Sequence, residues 1–272
     1  MANAPKPTTA KKESSSGSNI FASLSTVVCI LIGFLLWKFV MGDPANFEGG
    51  DPENGHPLPG NYFGMVYKGG YLVPLLMGLL LMVVVFSFER FFVIGKATGK
   101  GNVDTFVKKI QSLIGAGNVD SAIAECDKQE GSVANVIKSG LKKYKEMEVE
   151  AKMDTEQKCL AIQKDIEEAT ALEMPMLEQN LTVIATLVSI GTLMGLLGTV
   201  TGMIKAFAAL SSAGSPDQAA LANGISEALI NTATGIATSA IAIVMYNVFT
   251  SKIDKLTYAI DEAGFSIVQT YA

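Results

Sequence analysis

The chain has 272 residues, of which 49% are hydrophobic, with a net charge of −5 and a mean hydropathy of +0.34. That balance argues against an ordinary soluble domain and for a membrane protein, and the absence of a basic excess argues against nucleic acid as a partner. Cys29, Cys126 and Cys159 are far apart and odd in number, so they give neither a disulfide framework nor a metal site.

Residues 1–18 are rich in Pro, Ala, Ser and Lys without apolar periodicity, which predicts a disordered tail. An apolar run from Ile20 to Met41 follows, interrupted by Lys38 near its far end, where a long side chain can snorkel to the interface. The run is too long for a signal-peptide core and no small-x-small cleavage site closes it, so it reads as a retained membrane span. Residues 43–69 are dense in Gly, Pro, Asp and Asn and read as an irregular loop. This loop holds the lone histidine, His56. Tyr62, Phe63, Tyr67 and Tyr71 mark the approach to the next interface. The second apolar run, from Gly70 to Ser87, ends at Glu89-Arg90.

Beyond Lys96 charged residues become frequent. Amphipathic patterns such as Val103/Phe106/Val107/Ile110 and Val133/Val136/Ile137/Leu141 predict a helical extramembrane domain. Its Gly95–Gly101 segment (GKATGKG) lacks the spacing and the Ser/Thr of a phosphate-binding loop, so no nucleotide hydrolysis is expected from it. A helix starting near Asp154 is expected to run unbroken into the third span, with Pro175 as a site of kinking. No nucleophile, base or metal cluster converges anywhere, so no enzyme and no cofactor is expected.

Two apolar segments, Leu181 to Ile204 and Ala228 to Phe249, then form a hairpin around the polar stretch Ser211 to Gln218. Each is about the length needed to cross a roughly 30 Å hydrocarbon core. Lys and Arg number 13 in residues 90–179, against 1 in the 43–69 loop and 0 in 211–224, which places both termini and the middle domain in the cytoplasm. The expected architecture is an all-α integral membrane protein with four transmembrane helices at 19–42, 70–90, 180–208 and 223–250. A helical cytoplasmic domain fills 91–179, outer loops lie at 43–69 and 209–222, and a cytoplasmic helix covers 251–272.

The hairpin is unlike a simple anchor. Thr192, Gly195, Thr199 and Gly202 share one helix face, and Ala228, Thr232, Gly235 and Ser239 share another. Gly195, Gly198, Gly202 and Gly235 suit close helix packing, and the hydroxyls suit either backbone bonding or a wet path. In an antiparallel pair, residues at one depth have numbers with a constant total. Lys205 and Asn223 mark the outer boundary, Thr199 and Thr232 are expected to share a depth inward of it, and the register set by that threonine pair places Glu227 opposite residue 204, beside Lys205. Lys205 and Glu227 are therefore expected to pair or to share waters near the outer leaflet, and an intramembrane carboxylate is a functional candidate.

The segments GLLGTVTGMIKAF (195–207) and GISEALINTATGIATSAIAIVMYNVF (224–249) resemble the signature of the ExbB/TolQ branch of the MotA/TolQ/ExbB proton-channel family. The resemblance rests on the GLxGTVxGM, IxEALxxTAxG and YN elements together and extends over about residues 70–255. It implies that Thr199, Glu227 and Thr232 match the family's pore-lining threonines and transmembrane glutamate. The chain departs from the pattern in having a fourth span, and in carrying Thr192 and Asn223 where relatives often have proline. The resemblance further implies a homopentamer in the bacterial inner membrane, enclosing an ExbD-like single-span partner that bears the proton-carrying Asp and acts on a TonB-like protein. A TolQ-like role in envelope maintenance and a passive membrane scaffold are the alternatives.

Overall fold

The computed structural model describes residues 14–53, 55–211 and 218–272; most of the expected N-terminal tail and the middle of the Ser211–Gln218 connection lie outside the described residues. Among the described residues the chain is nearly all helical, and four of its helices are long and apolar enough to cross a membrane. They divide between two compact units.

The first unit comprises residues 14–85 and 187–241. Helix α1 (Ser14–Leu35) widens at its end into a π-helical turn, Leu36–Met41, that carries Lys38. Asn46 closes this end by donating its amide to the carbonyls of Val40 and Met41 at 2.9 and 3.1 Å. The following loop, expected to be irregular, folds locally. Trp37 stacks on Tyr67 at 4.6 Å and Phe47 meets the edge of the same ring at 5.5 Å. A short helix α2 (Tyr62–Tyr67) is capped by Asn61, whose side chain accepts from Gly64 N. Helix α3 (Val73–Thr98) begins in this unit with Pro74 in its first turn, where a missing N–H costs little. It crosses α1 at Gly33 and Gly78: a methyl on Gly33 would stand 2.6 Å from the Pro74 carbonyl oxygen, so only glycine permits the contact.

The second unit comprises residues 86–186 and 242–272. It holds the end of α3, then α4 (Val103–Gly115), α5 (Val119–Gln129), α6 (Gly131–Val149) and α7 (Thr155–Glu178). Asn102, Asn118 and Asp154 cap α4, α5 and α7 with their side chains. The predicted apolar stripes are its core: Phe106, Val107, Ile110, Val133, Val136, Ile137 and Leu141 are buried together with Ile162, Ile260 and Ile267. Tyr271, near the end of the chain, sets its ring at 4.7 Å and 86° to Tyr144.

One expectation fails. The helix from Asp154 does not run unbroken into the third span. Pro175 lies inside α7, and the break falls after Glu178, where Asn180 takes φ +61° before α8 (Leu181–Ser211) begins. Asparagine tolerates this left-handed backbone better than most side chains. The break orphans the last carbonyls of α7, and the guanidinium of Arg90 meets them. Its Nη1 donates to Met176 O and Leu177 O, both at 3.2 Å, while Nε donates to Glu89 at 2.6 Å. Arg90 is 2% exposed, a buried cation satisfied on both sides. The last helix, α9 (Gln218–Tyr271), is continuous for 54 residues, so no break separates the expected fourth span from the C-terminal helix.

Candidate functional site

The site lies in the first unit, where α8 and α9 pack against each other and meet the turn that precedes α3. Glycine makes the approach close. Carbons added at Gly191 and Gly195 would fall 3.2 Å from the Gly235 carbonyl oxygen and the Gly235 Cα, and one at Gly235 would fall 2.5 Å from the Gly191 carbonyl oxygen. At Gly202 an added carbon would meet the Gly224 carbonyl oxygen at 2.7 Å, and at Gly198 it would collide with the Asn231 side chain. With no Cβ in the way, hydroxyls one residue off the glycine seam can reach across it.

They do so in rungs. The Thr199 and Thr232 hydroxyls are in direct hydrogen-bond contact, and both point at the Gly195 carbonyl oxygen at 3.3 Å. Thr232 also donates to Ala228 O at 3.1 Å. One step deeper, Thr192 Oγ1 donates to Ser239 Oγ at 2.8 Å. The two rungs share one residue-number total, so the hairpin keeps a single register between them. Both Thr199 and Thr232 stay half-buried, whereas Thr238 is fully buried and bonds its own helix at Thr234 O.

The charged pair lies toward the connection between α8 and α9. Lys205 Nζ donates to Glu227 Oε1 at 2.6 Å and Oε2 at 2.9 Å. Glu227 is 7% exposed, while Lys205 is about half exposed and has its ammonium 5.2 Å from the centre of the Tyr71 ring. Gly70, at φ +79°, lies flat against the Glu227 carboxylate, where a side chain would collide with it. One helical turn from Glu227, Asn231 is fully buried. Its amide donates to Gly69 O at 2.9 Å, and its Oδ1 has no partner among the described residues. The Gly69-Gly70-Tyr71 turn thus touches Asn231, Glu227 and Lys205 in succession.

The sequence-derived site residues Thr199, Thr232, Glu227 and Lys205, with Gly195, Gly198, Gly202 and Gly235, all fall on this one helix–helix seam. The parts that Asn231, Gly70 and Tyr71 play at this seam escaped the sequence reading. An Asn in an apolar segment was the available signal for the first; nothing local ties the other two to this seam, which they reach through a turn far from α8 and α9 in sequence. Among the described residues no group of His, Cys, Asp and Glu is arranged to hold a metal ion. The arrangement offers a ladder of hydroxyls that can both donate and accept, beside a carboxylate with a fixed cationic partner.

Comparison with known proteins agrees with the motif wording. The profile of the MotA/TolQ/ExbB proton channel family matches residues 128–262. The chain is 26% identical over 194 residues to the Tol-Pal system protein TolQ of Pseudomonas aeruginosa, an alignment covering 71% of this chain and 84% of the relative. It is 41% identical over 75 residues to TolQ of Haemophilus influenzae, covering 28% of the chain and 33% of that protein. With the biopolymer transport protein ExbB of Pseudomonas putida it shares 34% identity over 86 residues, 32% of the chain and 26% of that protein. Over residues 128–262 this chain, nearly all helical among its described residues and with four helices long and apolar enough to cross a membrane, matches the MotA/TolQ/ExbB proton channel family.

Proposed function

We propose that the chain is the stationary, hydroxyl-lined subunit of a proton-driven membrane motor, with Thr199, Thr232 and Glu227 along the proton path. The observation that carries this reading is the Thr199–Thr232 rung set one and a half turns from the Lys205–Glu227 pair, in a segment otherwise free of charge. A hydroxyl can pass a hydrogen bond along without trapping a charge. The resemblance to the family implies that the titrating carboxylate belongs to another chain, an ExbD-like single-span partner enclosed by a homopentamer of this one. In keeping with that, the one acid on the seam among the described residues, Glu227, is paired with Lys205. Each proton crossing the membrane potential yields about 2.3 kcal/mol per 100 mV, and several per cycle can drive the partner against the ring.

In this reading both termini face the cytoplasm of a bacterial inner membrane, lipid surrounds the ring, and a TonB-like protein carries the work to outer-membrane transport. A TolQ-like role in envelope maintenance is the second reading, favoured by the alignment that takes in 84% of the Pseudomonas aeruginosa TolQ. The partner that co-purifies with the chain from its native membrane separates the two. The site assignment is tested by Thr199→Ala, Thr232→Ala and Glu227→Ala. Each leaves assembly largely intact and abolishes energised uptake, and normal uptake in the triple variant overturns it.

A further inference from the structure

The GKATGKG segment is not a phosphate loop by its wording, yet the fold of the second unit carries it to the start of a long helix. Lys100 N donates to Gln129 O at 2.6 Å, and Gln129 Nε2 donates to Thr98 O at 3.2 Å, which stitches the turn at 97–100 to the turn at 129–131. Gly99 and Gly131 both have positive φ, +76° and +83°, and an added carbon on Gly131 would stand 2.7 Å from Gly99 N. Beside this junction is a cleft of about 640 Å³ whose polar lining includes Lys96, Lys100, Ser132, Asn135 and Glu173.

Three features of the cleft favour an anion. The N-terminus of α6, a helix of 19 residues, opens onto it at Gly131 and Ser132, and no side chain caps that end. The first-turn N–H groups of a helix have no partner within the helix and carry its positive dipole end. Ser132 is 8% exposed, lines the cleft, and its hydroxyl has no hydrogen-bond partner among the described residues. Lys96 forms no ion pair among the described residues, and Lys100 pairs with Glu130 at 2.5 Å where both are largely exposed, a contact an incoming anion can exchange. Glu173 opposes an anion, and Asn135 Nδ2 holds it at 3.1 Å.

We propose that this cleft binds a phosphate group, held by the α6 N-terminus, the Ser132 hydroxyl and the two lysines. The group can come from a phospholipid head or from a soluble phosphate. Lys96 follows Val73 by 23 residues of one helix, about 34 Å at 1.5 Å per residue, which is just beyond a roughly 30 Å hydrocarbon core. The site is independent of the proton path.

The test uses the full-length chain purified in uncharged detergent and titrated with phosphatidylglycerol, with diacylglycerol lacking the phosphate, and with inorganic phosphate. Binding is read by native mass spectrometry and by amide exchange at residues 131–134. Phosphatidylglycerol retained over diacylglycerol, with slowed exchange, supports a lipid source; the same protection by inorganic phosphate supports a soluble one. In either case affinity falls about tenfold in Lys96→Gln/Lys100→Gln, falls less in Ser132→Ala, and rises in Glu173→Gln. Helical circular dichroism checks that the variants fold, and the exchange measurement on the unaltered chain needs no variant. Absence of protection by either phosphate-bearing probe, or binding unchanged across the three variants, overturns the proposal.

Discussion

Lys205 Nζ sits 2.6 and 2.9 Å from the two oxygens of Glu227, and the backbone of Gly70 lies directly against that carboxylate. The acid is buried while its cation is half exposed, so the two partners do not lose equally when the pair is broken. Removing the lysine strands a charge without water. Lys205→Met is expected to cost about 1–3 kcal/mol, less than the loss for a fully enclosed pair, and Lys205→Met combined with Glu227→Gln recovers most of it. A double-mutant cycle on denaturant unfolding in detergent measures this; additive losses would show that the pair is not coupled.

The turn before α3 is held to the same seam by Asn231, which donates to Gly69 O from a fully buried position. Asn231→Leu removes that bond, orphans the Gly69 carbonyl and overfills the space beside Gly198. The expected loss is about 1–3 kcal/mol, with faster amide exchange at residues 69–72. Unchanged exchange there would mean that the turn is held by other contacts.

Two glycines of helical backbone make opposite predictions. A carbon on Gly235 would meet backbone at 2.5 Å, whereas Gly95 of α3 has open space around its missing Cβ. Gly235→Ala is therefore expected to loosen the α8–α9 seam and lower the unfolding temperature. Gly95→Ala is expected to stabilise by about 0.5–1 kcal/mol through the entropy of the unfolded chain. Thermal unfolding of the two variants side by side decides it.

Arg90 joins Glu89 to the open end of α7. A lysine cannot bridge two carbonyls and a carboxylate at once, because it lacks the planar fork of donors. Arg90→Lys is expected to destabilise the second unit by about 2–4 kcal/mol and to increase proteolysis near Asn180. Wild-type resistance to proteolysis in that variant would remove Arg90 from this role.

Burial pushes the Cys126 thiol from its ordinary value up to about 12, with the neighbouring Asp127 adding to the effect. At pH 9 the folded chain then holds far less Cys126 thiolate than the unfolded chain does. Since the folded value is the higher one, the neutral thiol's contribution to stability is complete below pH 9 and fades as the pH rises toward 12. Maleimide at pH 9 is expected to modify the half-buried Cys159 and to spare Cys126 until denaturant is added; mass spectrometry of the labelled peptides reads both.

Much of the seam was legible because a membrane span constrains the chain so tightly. A polar side chain in a long apolar run stands out, and an antiparallel pair of helices converts residue number into depth, which is how Thr199 and Thr232 could be matched before any contact was known. Contacts made by backbone rather than by pattern were not legible. The break at Asn180 depends on one left-handed residue and on Arg90 arriving from a helix 86 residues earlier to satisfy Met176 O. Proline at 175 was the stronger local signal, but the helix absorbs it. The seat of Glu227 against Gly70 is a long-range packing event, and hydropathy carries no trace of it. The loop at 43–69 has the composition of irregular chain, but Trp37, Phe47 and Tyr67 give it a small aromatic core of its own.

The central claim is that the Thr199–Thr232 rung carries protons. The direct measurement is proton flux into liposomes holding this chain together with the proposed single-span partner under an imposed membrane potential. Thr199→Val and Thr232→Val preserve shape and remove only the hydroxyl. The account predicts that either change lowers flux by about tenfold or more while Thr199→Ser and Thr232→Ser retain it. Undiminished flux in the Thr199→Val/Thr232→Val double variant would contradict it.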